Sequence, residues 1–307
     1  MSKHMIFIAL VLLLYPLSLL SASSPEGDVD IPDKNLRAVI ADSLGKTPDE
    51  AITADKMATL TRLKAPNRGI RDLTGLEFAT SLRSLNLGNE KVNGKYVNSN
   101  EISDLSPLSD LTSLRILDLS DNSLSDISPL SGLTINLTFL NLSKNSISDV
   151  SPLSNLTHLG SLFLSNNSLS DISPLSNLTG LRLLSLSDNS ISDISPLFSL
   201  IRLERLFLSN NGLSDISPIS DLTNLTLLNL SDNAISDMSP LSGLNRLKYL
   251  YLRRNSISDL APLVANKGLR DKDAVDVQNN PLSATSLNTH IPALQSRGIK
   301  VRFSTSI

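Results

Sequence analysis

Cysteine and tryptophan are both absent from this 307-residue chain. Without cysteine there is no disulfide framework, no thiolate metal site and no cysteine nucleophile. Charge is scarce on either side of neutrality: 27 basic residues stand against 30 acidic ones, a formal net charge of −3. No basic block is present to neutralise phosphates, so nucleic acid is not an expected partner. Histidine occurs three times, at His4, His158 and His290. No His pair, Ser-His-Asp group or glycine-rich phosphate loop can be assembled from any local motif, so the chain reads as a non-enzyme with no cofactor and no metal. Aromatic residues make up only 4% of the chain.

What is there is leucine, in a fixed rhythm. The stretch Leu111 to Leu133, LTSLRILDLSDNSLSDISPLSGL, is the unit that the rest of the chain copies. Its Leu-x-Leu-x-x-Asn core recurs with Asn100, Asn122, Asn145, Asn167, Asn189, Asn211, Asn233 and Asn255, spaced by 22 residues apart from one step of 23 at Ile135. A fixed period in this range means a solenoid, because one turn cannot bury its own leucines and needs neighbours above and below. Leu114, Leu117 and Leu119 belong to a short strand, and Leu124, Ile127, Leu130 and Leu133 fill the core from the returning arm. The Asn stands where the strand bends inward, and its amide can donate to and accept from backbone groups that have lost their ladder partners. On the returning arm the consensus Ile-Ser-Asp-Ile-Ser-Pro-Leu puts Pro107, Pro129, Pro152, Pro174, Pro196, Pro218, Pro240 and Pro262 in phase. Proline there blocks a second ladder and fits an extended or 3-10 turn. The expected fold is an α/β leucine-rich solenoid: a right-handed coil with short parallel strands on the concave face, extended and 3-10 turns on the convex face, and a small cap at each end.

The ends depart from the rhythm. Lys3 and His4 precede an apolar run, Ile6 to Leu20, followed by small residues Ser21 to Ser24, which is the form of an export signal. The run is shorter than the ~20 apolar residues that span a bilayer, so residues 1–23 are read as a signal peptide and the location as secreted, periplasmic or cell-surface. Residues 24–62 form a helical amino-terminal cap, with Leu36, Val39, Ile40 and Leu44 at helical spacing, Gly45 as a stop and Thr53 as the N-cap of a second short helix. Residues 63–280 are the repeats. Arg68 stands at the asparagine position of the first turn, and the second turn carries about ten extra residues, Gly88 to Ser99, read as a solvated loop. Residues 281–307 form a carboxy-terminal cap, with short helical turns from Ser286 to Arg297 interrupted at Pro292 and a closing strand from Ile299 to Phe303.

These residues resemble the bacterial internalin-type leucine-rich repeat family: the 22-residue Ile-Ser-Asp-Ile-Ser-Pro-Leu repeat, the helical opening Asn35-Leu36-Arg37-Ala38-Val39-Ile40, and Asp72-Leu73-Thr74-Gly75-Leu76-Glu77 in the first turn. The repeat is also similar to that of the nuclear phosphatase-1 regulatory subunit, against which the export signal argues. Internalin-like proteins are bacterial surface or secreted proteins that bind host receptors, so the resemblance implies adhesion or recognition of a cell surface. The resemblance is to the repeats and their helical opening, and no immunoglobulin-like segment is expected after the repeats.

In Leu-x-x-Leu-x-Leu-x-x-Asn the x positions line the open face of the sheet. Nine aromatic residues follow the leader, and five of them, Phe139, Phe163, Phe207, Tyr249 and Tyr251, fall in two of these columns. Ile116, Leu183, Leu227 and Arg205 stand beside them, and Arg253 and Arg254 add a positive end. Exposed contiguous apolar patches mark partners, and aromatic and arginine anchors dominate interface energy. Strand propensity and cross-strand packing are the competing, purely structural account of rings in strands. The expected partner is a protein; a polysaccharide stacking on the rings is the alternative, and a bare scaffold is the third possibility. The aspartate column from Asp104 to Asp259 offers one carboxylate per turn, too few for calcium, and is assigned to turn capping.

Overall fold

We describe a computed structural model covering residues 27–92, 95–96 and 99–304 of the chain; the expected export signal lies outside these residues. Eleven strands of three residues each stack in parallel along the coil. They are β1 (Arg62–Lys64), β2 (Ser84–Asn86), β5 (Ile116–Asp118), β6 (Phe139–Asn141), β7 (Ser161–Phe163), β8 (Leu183–Ser185), β9 (Arg205–Phe207), β10 (Leu227–Asn229), β11 (Tyr249–Tyr251), β12 (Ala274–Asp276) and β13 (Lys300–Arg302). The missing numbers, β3 (Lys91–Val92) and β4 (Lys95–Tyr96), form a separate antiparallel hairpin. Register is constant: residue n pairs with residue n + 22 from β6 through β11, as in Leu184 with Leu206 and Leu206 with Leu228. Identical positions therefore form columns, and the columns decide everything that follows.

One core runs the length of the coil, and its leucines are sealed. Leu162, Leu184, Leu206 and Leu228 from the strands and Leu175, Leu197 and Ile219 from the returning arm are all 0% exposed. Each such side chain contributes about 1.5–3 kcal/mol by leaving water, and since only stacked turns can enclose it, stability is shared between neighbours. On the convex side the seven turns from Ser106 to Leu241 each make a 3-10 segment with proline near its start, for example Ser173–Asn177 and Ser195–Ser199. Proline fits because the first N–H groups of such a turn have no partner inside it.

The asparagine column is internal and satisfies backbone groups in two turns at once. The Asn189 amide nitrogen donates to the carbonyls of Leu164 at 3.1 Å, Leu186 at 2.9 Å and Ser187 at 3.2 Å. Its oxygen accepts from the Leu169 N–H at 3.0 Å. Asn122 to Asn255 repeat the pattern, and Asn100 serves the first turn by accepting from Arg68 and Ile70. The position just before the asparagine adopts a left-handed backbone in turn after turn, φ 57° at Asp121, 58° at Asp188 and 53° at Asn210. That conformation favours Asn and Asp over other side chains. The sequence shows the resulting Ser-Asp-Asn and Ser-Asn-Asn runs, a column that reading for leucine alone passes over.

At the amino-terminal end, α1 (Lys34–Ser43) and α2 (Ala54–Met57) cover the first turn. Leu36, Ile40 and Met57 are buried against it. Asp33 joins the two pieces: one oxygen caps α1 by accepting from Asn35 and Leu36, and the other accepts from Arg71 and Asp72 of the first coil turn. Those four N–H groups outweigh the burial that would raise its pKa, and hold its carboxyl below the usual value. Gly75 is left-handed at φ 98°, and a β-carbon there would stand 2.6 Å from Ile31 and 2.9 Å from the Asp30 carbonyl.

Two expectations need correction. The insert of the second turn is not a plain loop, since its backbone forms the β3–β4 hairpin. Asn93-Gly94, a two-residue hairpin signal, stands between the strands. At the other end, α3 (Ala261–Ala265) replaces the 3-10 turn, and residues 286–296 are not interrupted at Pro292. A π-helical turn, Ser286–His290, runs straight into α4 (Ile291–Ser296). Proline near the start of α4 removes one N–H, and a wider turn just before it is a known accommodation. Buried Ser286 ties this segment to the last repeat, accepting from the Leu260 N–H at 3.0 Å and donating to the Ser258 carbonyl at 2.8 Å.

Candidate functional site

The concave face is built by the two outward positions of each three-residue strand, because the middle residue points into the core. Its geometry is set by the register. Phe163 of β7, Phe207 of β9 and Tyr251 of β11 occupy one column, separated by Ser185 and Asn229. Leu183 of β8 and Leu227 of β10 occupy the other column, in the strands between. With Ile116 of β5 and Phe139 of β6 leading in, and Tyr249 beside Tyr251 at the end, every strand from β5 to β11 contributes an apolar side chain to this face. The result is a zigzag band rather than a straight line. Each member has a polar residue beside it on its own strand, such as Asp118, Ser161 or Ser185, except on β11, where both are tyrosines.

No element of the described residues closes over the band. Ile116 is 45% and Tyr249 46% exposed, while Phe139, Phe163, Leu183, Phe207, Leu227 and Tyr251 are half-buried by one another and by the sheet. The Phe139 and Phe163 rings lie 5.4 Å apart at 46°, a tilted pair of the kind aromatic quadrupoles favour. Arg205 is exposed on the strand that carries Phe207. Arg253 and Arg254 lie past the carboxy end of β11, and Arg254 is held by Asp232 at 3.1 Å, so of that pair only Arg253 is left without an ion-pair partner among the described residues.

Two concavities flank the band. At its carboxy end Tyr249, Tyr251, Asp276, Lys300 and Arg302 border a hollow of about 230 Å³. At its amino end Thr61, Arg62, Arg83, Ser84, Arg115 and Ile116 border a larger one of about 530 Å³. The arginines of the second hollow were not among the residues picked out from the sequence. Arg83 and Arg115 fall one position before their strands, outside the two columns where the rings stand. The signal was the arginine shared by that position in both turns.

Elsewhere the chemistry is structural. In the aspartate column each carboxylate accepts from the backbone N–H two residues on, at 2.8 Å for Asp126 to Ser128, Asp171 to Ser173 and Asp215 to Ser217. Bonds from the serine N–H and hydroxyl lower the pKa of these carboxyls. This is the turn capping expected of Asp-x-Ser. Among the described residues no three metal-ligating side chains converge. His158 bonds the Thr134 carbonyl at 3.1 Å, as Asn136 bonds Thr112 and Asn224 bonds Ile201, so it substitutes for an asparagine in a loop-to-loop link. No helix among the described residues is long and apolar enough to cross a membrane.

The family described as Leucine Rich repeats (2 copies) matches residues 96–132, 135–177, 161–199, 179–221, 201–243 and 223–265, more than half of the chain. Among solved structures, internalin C2 of Listeria monocytogenes is 36% identical over 70% of this chain and 91% of its own, with a TM-score of 0.66. Internalin InlF of the same species is 30% identical over 90% of this chain and 91% of its own, TM-score 0.64. The functional domain of InlJ from that species, which includes a cysteine ladder, is 25% identical over 89% of this chain and 60% of its own, TM-score 0.64. No curated protein sequence matches the chain.

Proposed function

Because the chain belongs to the internalin-type leucine-rich repeat proteins, we propose that it is an exported, non-enzymatic module that recognises another protein with its concave face. The observation that carries this reading is the uncovered band of Ile116, Phe139, Phe163, Leu183, Phe207, Leu227, Tyr249 and Tyr251, one apolar side chain or more on each of seven successive strands. Cross-strand packing alone accounts for a pair such as Phe139 and Phe163, but not for apolar residues that jump between columns so as to stay contiguous. Contiguous exposed apolar surface is what protein partners cover, and a rigid sheet loses little entropy on binding. Adhesion to, or recognition of, a cell surface is the role that this family membership favours.

The test is to replace Phe163, Phe207 and Tyr251 together by Ala. The expected result is loss of capture of a defined partner, identified beforehand by cross-linking to the wild-type chain, with circular dichroism and melting temperature nearly unchanged. Partner capture by the triple variant at wild-type strength would reject the concave band as the docking surface. A polysaccharide is the second reading, favoured by Tyr249 and Tyr251 beside Lys300 and Arg302 in the carboxy-terminal hollow. Specific binding on a glycan array, lost on Tyr249→Ala and Tyr251→Ala, would put that reading first.

A further inference from the structure

The amino-terminal hollow has a composition unlike any other part of the concave face. Arg62 comes from β1, Arg83 immediately precedes β2, and Arg115 immediately precedes β5, three successive rungs of the sheet. Rungs stack about 4.8 Å apart, and the ladder ties these turns directly, since the Arg115 and Ile116 N–H groups both donate to the Arg83 carbonyl. All three side chains are exposed, and together they border one concavity of about 530 Å³. Among the described residues none of the three guanidinium groups has an ion pair or a hydrogen bond.

Elsewhere along the solenoid some basic side chains face a carboxylate, while others, such as Arg205 and Arg253, have no ion pair among the described residues. Arg182 occupies the position of Arg115 three turns later, and there the next turn supplies Glu204 at 2.9 Å. Lys64 is met by Glu90, Arg71 by Glu101 and Arg254 by Asp232. Beside Arg83, the next-turn position that would hold such a carboxylate holds Arg115 instead. Like charges on neighbouring turns repel, so this arrangement costs some stability that an acidic neighbour would have returned.

We propose that Arg62, Arg83 and Arg115 form an anchor for carboxylates of an acidic segment in a protein partner. Guanidinium groups present paired donors that match carboxylates, and three in a row favour a run of them. The occupant is a protein segment rather than a sulfated sugar because the hollow does not end in polar surface. Ile116 borders it and also begins the apolar band, so a single partner that fills both must be acidic at one end and apolar beyond. The charge match fixes the direction in which that partner lies along the coil, acid against β1 to β5 and apolar groups against β6 to β11. This deepens the concave-face reading and rests on it for the partner's identity, while the anchor itself can be tested alone.

The probe is a fluorescein-labelled oligo-glutamate titrated with the full chain, read by anisotropy at low and at physiological ionic strength. Saturable binding that weakens with salt is expected, and the double variant Arg83→Glu, Arg115→Glu should lower affinity by about tenfold or more. Arg182→Glu, at an arginine already facing a carboxylate, should leave it within about twofold. The Phe163, Phe207 and Tyr251 alanine variant should bind the probe like wild type, which separates failure of the anchor from failure of the apolar band. If the glutamate variant does not fold, Arg83→Gln with Arg115→Gln gives the same comparison without reversed charge. Absence of probe binding, or equal binding by either double variant, would overturn the proposal. So would heparin binding at the same arginines about tenfold tighter than the oligo-glutamate, which would assign the hollow to a sulfated polysaccharide.

Discussion

The convex arm and the concave sheet are made by the same 22-residue unit, yet one is nearly invariant from turn to turn and the other is not. On the convex arm the side chains are consumed by their own backbone. Asp171 and Asp193 cap the turns that follow, Ser173 and Ser195 return hydroxyl bonds to them, and Pro174 and Pro196 occupy positions with no N–H to donate. On the sheet the ladder satisfies the strand N–H and C=O groups by itself, and the outward side chains make at most a local bond just past the strand, as where Asn141 and Asn229 accept from the Ser143 and Ser231 N–H groups. Phe163, Ser185, Phe207 and Asn229 can therefore follow one another in a single column. Repetition marks the residues that hold the coil, and variation marks the ones available to a partner.

The comparison predicts a steep asymmetry in stability, greatest for what lies between the two faces. Leu184→Ala, at a site with no exposed surface, should cost about 2–5 kcal/mol, because the sealed column leaves a cavity the neighbours cannot close. Asn189→Ala should cost about 1–3 kcal/mol, because the carbonyls of Leu164 and Leu186 and the Leu169 N–H lose a partner inside the bend. Against these, Ser185→Ala in the open column gives up only its hydroxyl bond with Ser165 at 2.6 Å and should change chemical unfolding by less than about 1 kcal/mol. A Ser185 variant as destabilising as the asparagine variant would break the distinction between supporting and available positions.

Acid should act on the convex arm and the amino-terminal cap before it acts on the sheet. Asp28 is lowered chiefly by the Ile52 N–H, and Asp33, despite its burial, by four N–H groups. Hydrogen bonds from Ser106, Ser128, Ser173 and Ser217 lower Asp104, Asp126, Asp171 and Asp215. A carboxyl whose folded pKa lies below its unfolded value of 3.8 stabilises the fold above that value. The contribution is lost as pH falls through the lowered folded pKa. The melting temperature should thus be flat near neutrality and drop once pH falls below about 4. Replacing Asp33 by Asn should flatten the part of that drop that belongs to the cap, since Asn can still accept two of the four bonds but does not titrate.

Most of this architecture is legible in the letters because packing leaves little choice. Leucines at fixed spacing, an asparagine at each bend and a proline at each convex turn admit one kind of coil. The five rings could be placed in outward columns for the same reason. The zigzag is visible only with register, which pairs Leu183 with Arg205 and sets Phe207 diagonal to it. The arginine hollow was missed because Arg83 and Arg115 precede their strands, where sheet alternation no longer tells which way a side chain faces. Phe198 was missed for another reason. It takes the place of a serine on the convex side, where it stands 65% exposed near the 56% exposed Ile201, and nothing in the repeat pattern asks for a ring there.

The smallest effect lies at the junction of the two faces, in the left-handed position before each ladder asparagine. Asp121, Asn166, Asp188 and Asn210 suit that backbone, but Lys144 holds it at φ 56°. A long side chain tolerates the left-handed region less well than Asn does, because only the short polar side chain can bond locally to offset the crowding at its β-carbon. Lys144→Asn would place a third short polar residue between Asp121 and Asn166, and the Lys144 N–H that donates to the Ser165 carbonyl at 2.8 Å is kept. The substitution should stabilise the chain by a few tenths to about 1 kcal/mol, seen as slower amide exchange in the turns on either side. Gly at the same site should gain less, since it relaxes the unfolded chain as well as the native bend. If both variants lost stability, the lysine side chain rather than the backbone would be governing this bend. The junction would then belong with the variable face instead of the repeating one.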